Sequence, residues 1–541
     1  MYYRANPDQQ TIDDFFLPFG GKLRKDNRWV QLAAMMPWEY IDEVYAKNMS
    51  SETGRSAISS RIAFGAIFIK EFLNLTDEGT VEAIQENPYL QYFLGLLEFQ
   101  DEPLFDSSMM VYFRKRFPVN EVARINEYFC SGKRPEGMRD VDRNHAAEHN
   151  DEENVSSLTE ETEGTTAESE GTAAVGEPDT ETSESKSDES NGKDNQQRKT
   201  RGRKGKAGKK PKSKKKKNRG KLIIDATVAP ADIKFPTDVD LLNQCREILE
   251  KAINILWPFI PHDHHKLPYS AKVARKLYLK LAKSKKWAKT KVRSTIKELL
   301  RYVELATERL EAMLLLIEHP EKHLANWILD RLSVIPLVYR QQKQMYDENT
   351  NICENRIVSL EQPHVRPIKR GKRPNPTEFG QKLHLSTVNG FTYLEQTSWS
   401  NFNESLDLKE AVENYYRREG YYPCAVLADQ IYQTRTNKAY CKERGIRLSG
   451  LPLGRRKTSD TEAKVKRQMY KDACERNAIE SRNGVVKRRF GLNCIMSKLD
   501  ENAKTEAALN ILAMNASYRL AQWLALFWQY SHFYLRICVF Q

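Results

Sequence analysis

Arg476-Asn-Ala-Ile-Glu480-Ser-Arg-Asn-Gly-Val-Val-Lys487-Arg-Arg-Phe-Gly491 is the stretch on which the reading of this 541-residue chain turns. At 3.6 residues per turn, steps of four and seven residues bring Arg476, Glu480 and Lys487 near one line along a helix. One face then presents cation, carboxylate, cation. A carboxylate on a rigid helix suits a divalent cation, and the flanking Arg and Lys suit phosphate oxygens on either side of a phosphodiester. Taken alone, the same spacing also describes a surface helix laced with i,i+4 charge pairs.

Two further segments bear on that choice. Lys221-Leu-Ile-Ile-Asp225-Ala-Thr and Cys424-Ala-Val-Leu-Ala-Asp429 each read as a short buried strand ending in an acid. Two strand-end carboxylates beside a helix carboxylate make a metal cage.

Together these residues resemble the DDE transposases of bacterial insertion sequences, in the group with a Tyr-x2-Arg-x3-Glu-x6-Lys signature. Arg476, Glu480 and Lys487 match by spacing, whereas Ala473 stands at the tyrosine position and the nearest tyrosine is Tyr470. Ile224-Asp225-Ala-Thr-Val-Ala-Pro resembles the strand of the first aspartate. Leu427-Ala-Asp429-Gln-Ile-Tyr432, followed by Arg444-Gly-Ile-Arg-Leu-Ser-Gly450, resembles that of the second. The run Asn87-Pro-Tyr-Leu-Gln-Tyr-Phe-Leu-Gly95, with Phe105-Asp-Ser-Ser and Phe113-Arg-Lys-Arg-Phe117, is similar to the family's amino-terminal, end-recognising domain.

The resemblance implies an α/β fold: a ribonuclease H-like mixed sheet with flanking helices, a helical insertion after the first strand and a helical N-terminal domain. It implies that Asp225, Asp429 and Glu480 hold two Mg²⁺ ions about 3.5 to 4 Å apart, with Mn²⁺ as a substitute. Arg476 and Lys487 would then position phosphates and offset charge in the transition state. Water would free a 3′-hydroxyl at an element end, and that hydroxyl would attack target DNA. The partners implied are double-stranded DNA and a second copy of the chain, since two ends must be joined.

Composition agrees with a polyanionic partner. Formal charge is +13, unevenly spread. Residues 151–190 hold fourteen acids and one lysine, and residues 193–221 hold sixteen Lys or Arg and one aspartate, so these nearly cancel and the remainder is itself basic. The eight cysteines are scattered without paired spacing, which argues for reduced thiols over a disulfide frame or zinc cluster. The N-terminal residues lack an apolar signal core. The apolar run Ala507 to Trp528 is interrupted by Asn510, Asn515, Arg519 and Gln522, which predicts a packed helix and no membrane span. A bacterial cytoplasmic, nucleoid-associated protein is expected.

In chain order, residues 1–135 are expected to form the helical DNA-binding domain. Ile58, Ile62, Ala66, Ile69 and Phe72 recur at helical spacing, a second helix runs from about Val81 to Glu86, and Asp106 caps a third ending near Phe117. In that third helix Met109, Met110, Phe113 and Phe117 would face inward, leaving Arg114, Lys115 and Arg116 toward solvent for DNA or simply as a basic helix end.

Residues 136–220 are too polar to bury a core and read as a disordered acidic-then-basic linker. Its basic half, with Lys214, would clamp phosphates near the site, or remain a solvated tail. Residues 221–500 form the expected catalytic domain with the helical insertion at 241–360, and 501–541 a C-terminal helix. In the insertion, eleven Lys or Arg lie between Lys272 and Lys297 with no acid among them. Lys276 and Lys280 would follow a DNA backbone over a buried stripe of Val273, Leu277 and Leu281, while Tyr278 and Trp287 pack or stack. A solvated structural helix reads the same pattern equally well.

His262, His264 and His265 lie in a proline-rich turn and read as a solvated loop, since no second ligand group stands at zinc spacing. The segment around Arg370 reads as a basic extended arm, and Arg488 extends the basic end of the key helix. Asn389-Gly390 predicts a hairpin between the strands around Phe379–Val388 and Phe391–Glu395. Asp232, Asp238, Asp240, Glu404, Asp407 and Glu475 read as solvated or capping acids. Two rivals share these motifs: a metal-dependent DNA endonuclease without strand transfer, and a domesticated DNA-binding regulator. Strand-transfer products separate the first from a transposase, and magnesium-dependent cutting excludes the second.

Overall fold

The computed structural model describes residues 15–17, 21–47, 49, 56–135, 141, 217–261, 271–370, 377–450 and 462–539. The fold is mixed α/β, and its sheet is organised around β1 (Lys221–Pro230). On one side β1 pairs antiparallel with β3 (Thr377–Val388), which also pairs antiparallel with β2 (Arg366–Lys369) and β4 (Phe391–Ser398). On its other side β1 runs parallel to β5 (Ala425–Leu427), and β5 parallel to β6 (Arg447–Leu448). The basic arm of the sequence reading is thus strand β2 at residues 366–369, hydrogen-bonded to the sheet.

Local chemistry sets the hairpin. Asn389 and Gly390 have φ of 51° and 85°, the left-handed pair that a two-residue turn between right-twisted strands requires. Gly390 is required twice over, because a Cβ there would stand 2.3 Å from the Tyr518 hydroxyl. Tyr518 belongs to the C-terminal helix, Asp500–Val539, which begins beside the sheet and extends into the amino-terminal helices.

The polar residues within that helix are explained by the hairpin edge. Asn515 accepts from Thr392 N at 2.9 Å and donates to Thr392 O at 2.7 Å and to Asn126 Oδ1 at 2.8 Å, while Asn126 Nδ2 also reaches Thr392 O. An otherwise open strand edge is satisfied by two asparagines from distant helices. Among the described residues no helix is long and apolar enough to cross a membrane.

The amino-terminal helices include α1 (Arg28–Met35), α2 (Trp38–Lys47), α3 (Ser60–Leu73), α4 (Asp77–Glu86), α5 (Pro88–Phe93), α6 (Met109–Arg116) and α7 (Val119–Ser131). Ser59 and Thr76 cap α3 and α4, each accepting a backbone N–H of the first turn. These helices do not keep a core of their own. Ile41, Phe64, Phe113 and Ile125 lie in one continuous apolar cluster with Leu222, Leu385 and Val426 of the sheet and Leu512 of the C-terminal helix.

A second core belongs to the helices that follow β1: α8 (Asp238–Leu256), α9 (Ala271–Ala282), α10 (Lys289–Leu314) and α11 (Asn326–Asp347). Within α9 the buried residues are Ala274 and Leu281, and Leu277 is half-buried. Val273 is 53% exposed, so the predicted stripe is displaced by one position at its start. The Tyr278 hydroxyl donates to Asp240 Oδ1 at 2.5 Å, which ties this side of the helix to α8. The linker reading of 136–220 and the histidine turn at 262–265 lie outside the described residues, apart from Val141 and residues 217–220. The main-chain carbonyl of Val141 accepts from Thr397 N at 2.7 Å, and that of Arg219 accepts from the Tyr415 hydroxyl.

Candidate active site

The parallel register of β1 and β5 pairs Lys221 with Ala425, Leu222 with Val426 and Ile223 with Leu427. Carried two residues further, the same offset sets Asp225 abreast of Asp429. Leu222, Ile224, Ala226 and Val228 point to one face of β1 and are buried, so strand alternation turns Asp225 to the other face. Across that face runs α12 (Glu462–Arg489), anchored by the fully buried Ile479 and Val486.

The helix delivers Glu480 to the two aspartates. Arg476 bridges Glu480 and Asp429, with Nη2 3.1 Å from Glu480 Oε1 and Nη1 3.8 Å from Asp429 Oδ1. One turn past Glu480, Asn483 Nδ2 donates to Asp225 Oδ2 at 3.2 Å. Asp429, two residues past the end of β5, caps the short 3₁₀ turn Gln430–Tyr432, accepting from Gln430 N at 2.7 Å. Three acids from two strands and one helix therefore share one neighbourhood.

The neighbourhood is rich in negative charge. Burial pushes the Asp225 carboxyl up to about 6; a backbone hydrogen bond from Ala226 opposes this, Glu404 adds to it, and Arg370 and Arg476 oppose it. Tyr432 lies beneath, and its hydroxyl is held well above its ordinary value by burial and then by Glu404, Asp225, Asp407 and Asp429. Glu404, read from sequence as a solvated or capping acid, belongs to the site: its Oε1 lies 2.8 Å from Nζ of the buried Lys382. Glu475 instead pairs with Lys221, and Asp238 with Arg356.

Three carboxylates without sulfur or imidazole form a hard-oxygen donor set, the type that takes magnesium or manganese. The concentration of carboxylates around the partly buried Asp225 favours such a cation. Among the described residues no three potential ligands stand at ligating separation, and the Arg476 guanidinium lies between Asp429 and Glu480. The donors fit a divalent cation by chemistry, and Arg476 supplies the local positive charge.

The other sequence candidates distribute as follows. Lys487 and Arg488 lie further along α12, half-buried and exposed, and Tyr470 is 73% exposed. Arg370 is brought to the site, donating from Nη2 to Ala226 O at 3.2 Å, next to Asp225. Arg114 does not face solvent. It is 5% exposed and grips Asp77 with both Nη atoms at 2.9 and 2.7 Å, because the turn of α6 that buries Phe113 buries its neighbour too. Lys115 is exposed, and Arg116 donates to the Tyr45 hydroxyl at 2.6 Å. Lys276 and Lys280 are exposed on α9, and Lys214 lies outside the described residues. Sequence reasoning missed Asn483 and Lys382; the only signal for Asn483 was its i+3 spacing from Glu480, which puts both on one helix face.

Comparison with known proteins adds kinship. Residues 426–516 match a family model described as a transposase DDE domain, and residues 18–116 one described as a transposase domain (DUF772). The uncharacterized protein ORF8 in the nfe locus of Rhizobium meliloti is 39% identical over 87 residues, 16% of this chain. The chain covers 42% of that relative's length. No solved structure matches.

Proposed function

We propose, from the premise that the chain belongs to the DDE transposases of insertion sequences, that it cuts DNA at the ends of such an element and joins them to target DNA. Asp225, Asp429 and Glu480 are the proposed catalytic carboxylates. The observation that carries the reading is their convergence: Asp225 lies on β1 and Asp429 just past the end of the adjacent parallel strand β5, while Asn483, on the helix that bears Glu480, donates to Asp225 and Arg476 lies between Glu480 and Asp429. A ribonuclease H-like sheet fits the strand arrangement, with β1 central, an antiparallel hairpin on one side and parallel strands on the other.

A divalent cation held by these oxygens, magnesium or manganese, would supply polarisation of the scissile phosphate and a more acidic attacking water. The chain's own residues do the rest. Arg476 and Lys487 flank Glu480 on one helix and orient phosphate oxygens, offsetting charge that grows as the bond breaks. Attack by water at phosphorus breaks the bond to the 3′-oxygen, leaving a 3′-hydroxyl on the element end and a 5′-phosphate on the flanking strand. Attack by that hydroxyl on target DNA expels a target 3′-oxygen and forms the new junction. Arg370, Lys115, Arg116, Lys276, Lys280 and Arg488 are proposed to hold the duplex, with two copies of the chain bringing two ends together.

The test uses the full chain with the DNA that flanks its gene, in Mg²⁺. Cleavage and strand-transfer products are expected from the wild type. Asp225→Asn, Asp429→Asn and Glu480→Gln are each expected to abolish both while retaining DNA binding. Cutting without joined products would make the chain an endonuclease, and binding without any cutting would make it a regulator.

A further inference from the structure

Glu480 and Asn483 sit three residues apart on α12, so one helix face carries a carboxylate and an amide side by side. The amide Nδ2 donates to Asp225 Oδ2 at 3.2 Å. Its Oδ1 is buried and has no hydrogen-bond partner among the described residues. An asparagine kept for stability satisfies both ends of its amide, because an orphaned buried oxygen costs free energy. Here one end is committed to Asp225 at the expense of the other.

The residue type is informative. Asp225 already faces Arg370 and Arg476, with Glu404 opposing them. A third guanidinium or an ammonium at position 483 would neutralise the carboxylate and compete with any bound cation. A neutral amide fixes the plane of the carboxylate and adds no charge. The same helix that brings Glu480 to the site therefore also orients a carboxylate on the sheet, and a slip of the helix by one residue would undo both.

We propose that Asn483 is a positioning residue for Asp225, holding its carboxylate in the orientation that binds the divalent cation; this rests on the transposase reading above. Asn483 does not touch DNA or the reacting atoms. It acts through Asp225.

The experiment measures Mn²⁺ binding to the full-length protein by electron paramagnetic resonance, without DNA, for wild type, Asn483→Leu and Asp225→Asn. Asn483→Leu keeps the branching at Cγ and deletes the amide. It is expected to weaken Mn²⁺ binding by about 10- to 100-fold and to raise by a similar factor the Mg²⁺ needed for half-maximal cleavage. Metal-free DNA binding should stay near wild type. Should the leucine variant not fold, Asn483→Ala carries the same comparison. Wild-type Mn²⁺ affinity in the Asn483 variant, with affinity lost in Asp225→Asn, overturns the positioning role alone. Undiminished affinity in Asp225→Asn overturns the metal-site reading and this proposal with it.

Discussion

Phe72, near the end of α3, packs its ring against Phe490, the first residue beyond α12, with centroids 6.0 Å apart. The amino-terminal helices thus abut the chain segment that immediately follows the carboxylate-bearing helix. Gly491 makes the approach possible: its φ is 82°, and a Cβ there would stand 2.9 Å from Asn74 Oδ1. Phe490 is 1% exposed, and Phe490→Ala should cost about 3–5 kcal/mol by cavity formation. Because the core is continuous, thermal melting followed by tryptophan fluorescence and by circular dichroism should show one lowered transition. Two separate transitions would contradict the shared core.

Arg476 binds two carboxylates at a partly exposed surface, where ion pairs contribute about 1 kcal/mol or less. Arg476→Ala should leave the melting temperature almost unchanged. If its work is phosphate positioning, cleavage should fall by roughly 10²-fold or more. A cleavage rate within about threefold of wild type would remove Arg476 from the proposed chemistry.

Arg114 and Lys115 are adjacent and should behave oppositely. Arg114→Ala strands the Asp77 carboxylate beside a largely buried site and should destabilise the fold by about 3–5 kcal/mol. Lys115→Ala, at an exposed position, should change stability by no more than about 0.5 kcal/mol. Its effect is expected instead in DNA binding, as a salt dependence shallower by about one phosphate contact. Urea titration and binding isotherms at several salt concentrations measure both.

His364 predicts an acid-side loss of stability. Burial lowers its pKa to about 4, against an opposing pull from Asp500, and its ring lies 4.5 Å from that of Trp399. The folded pKa lies below the unfolded value, so the unfolded chain binds more protons between about pH 6.5 and 4. The contribution is therefore fully present above pH 6.5 and is lost as pH falls toward 4, by on the order of 2–3 kcal/mol. His364→Leu should flatten the stability curve across that window. An unchanged slope between pH 7 and 4.5 would show that another group carries it.

What could be read from the chain alone was whatever its local chemistry dictates. The Arg476, Glu480, Lys487 spacing needs only the helical period, the Asn389-Gly390 turn needs only residues tolerant of positive φ, and the apolar runs before Asp225 and Asp429 need only strand patterning. Neither acid ends its strand, however: β1 continues past Asp225 to Pro230, and β5 stops at Leu427, two residues before Asp429. Transposase kinship rested on those same residues. Folding decided what depends on partners far away in sequence: Arg114 is buried against Asp77, and the Tyr278 hydroxyl is held by Asp240. Asn483 and Glu404 became visible beside Asp225 only once strands some 200 residues apart were paired and a helix laid across them. Periodicity says which side of an element is apolar, but the burial and charge of one side chain are set by the atoms that the whole fold brings against it.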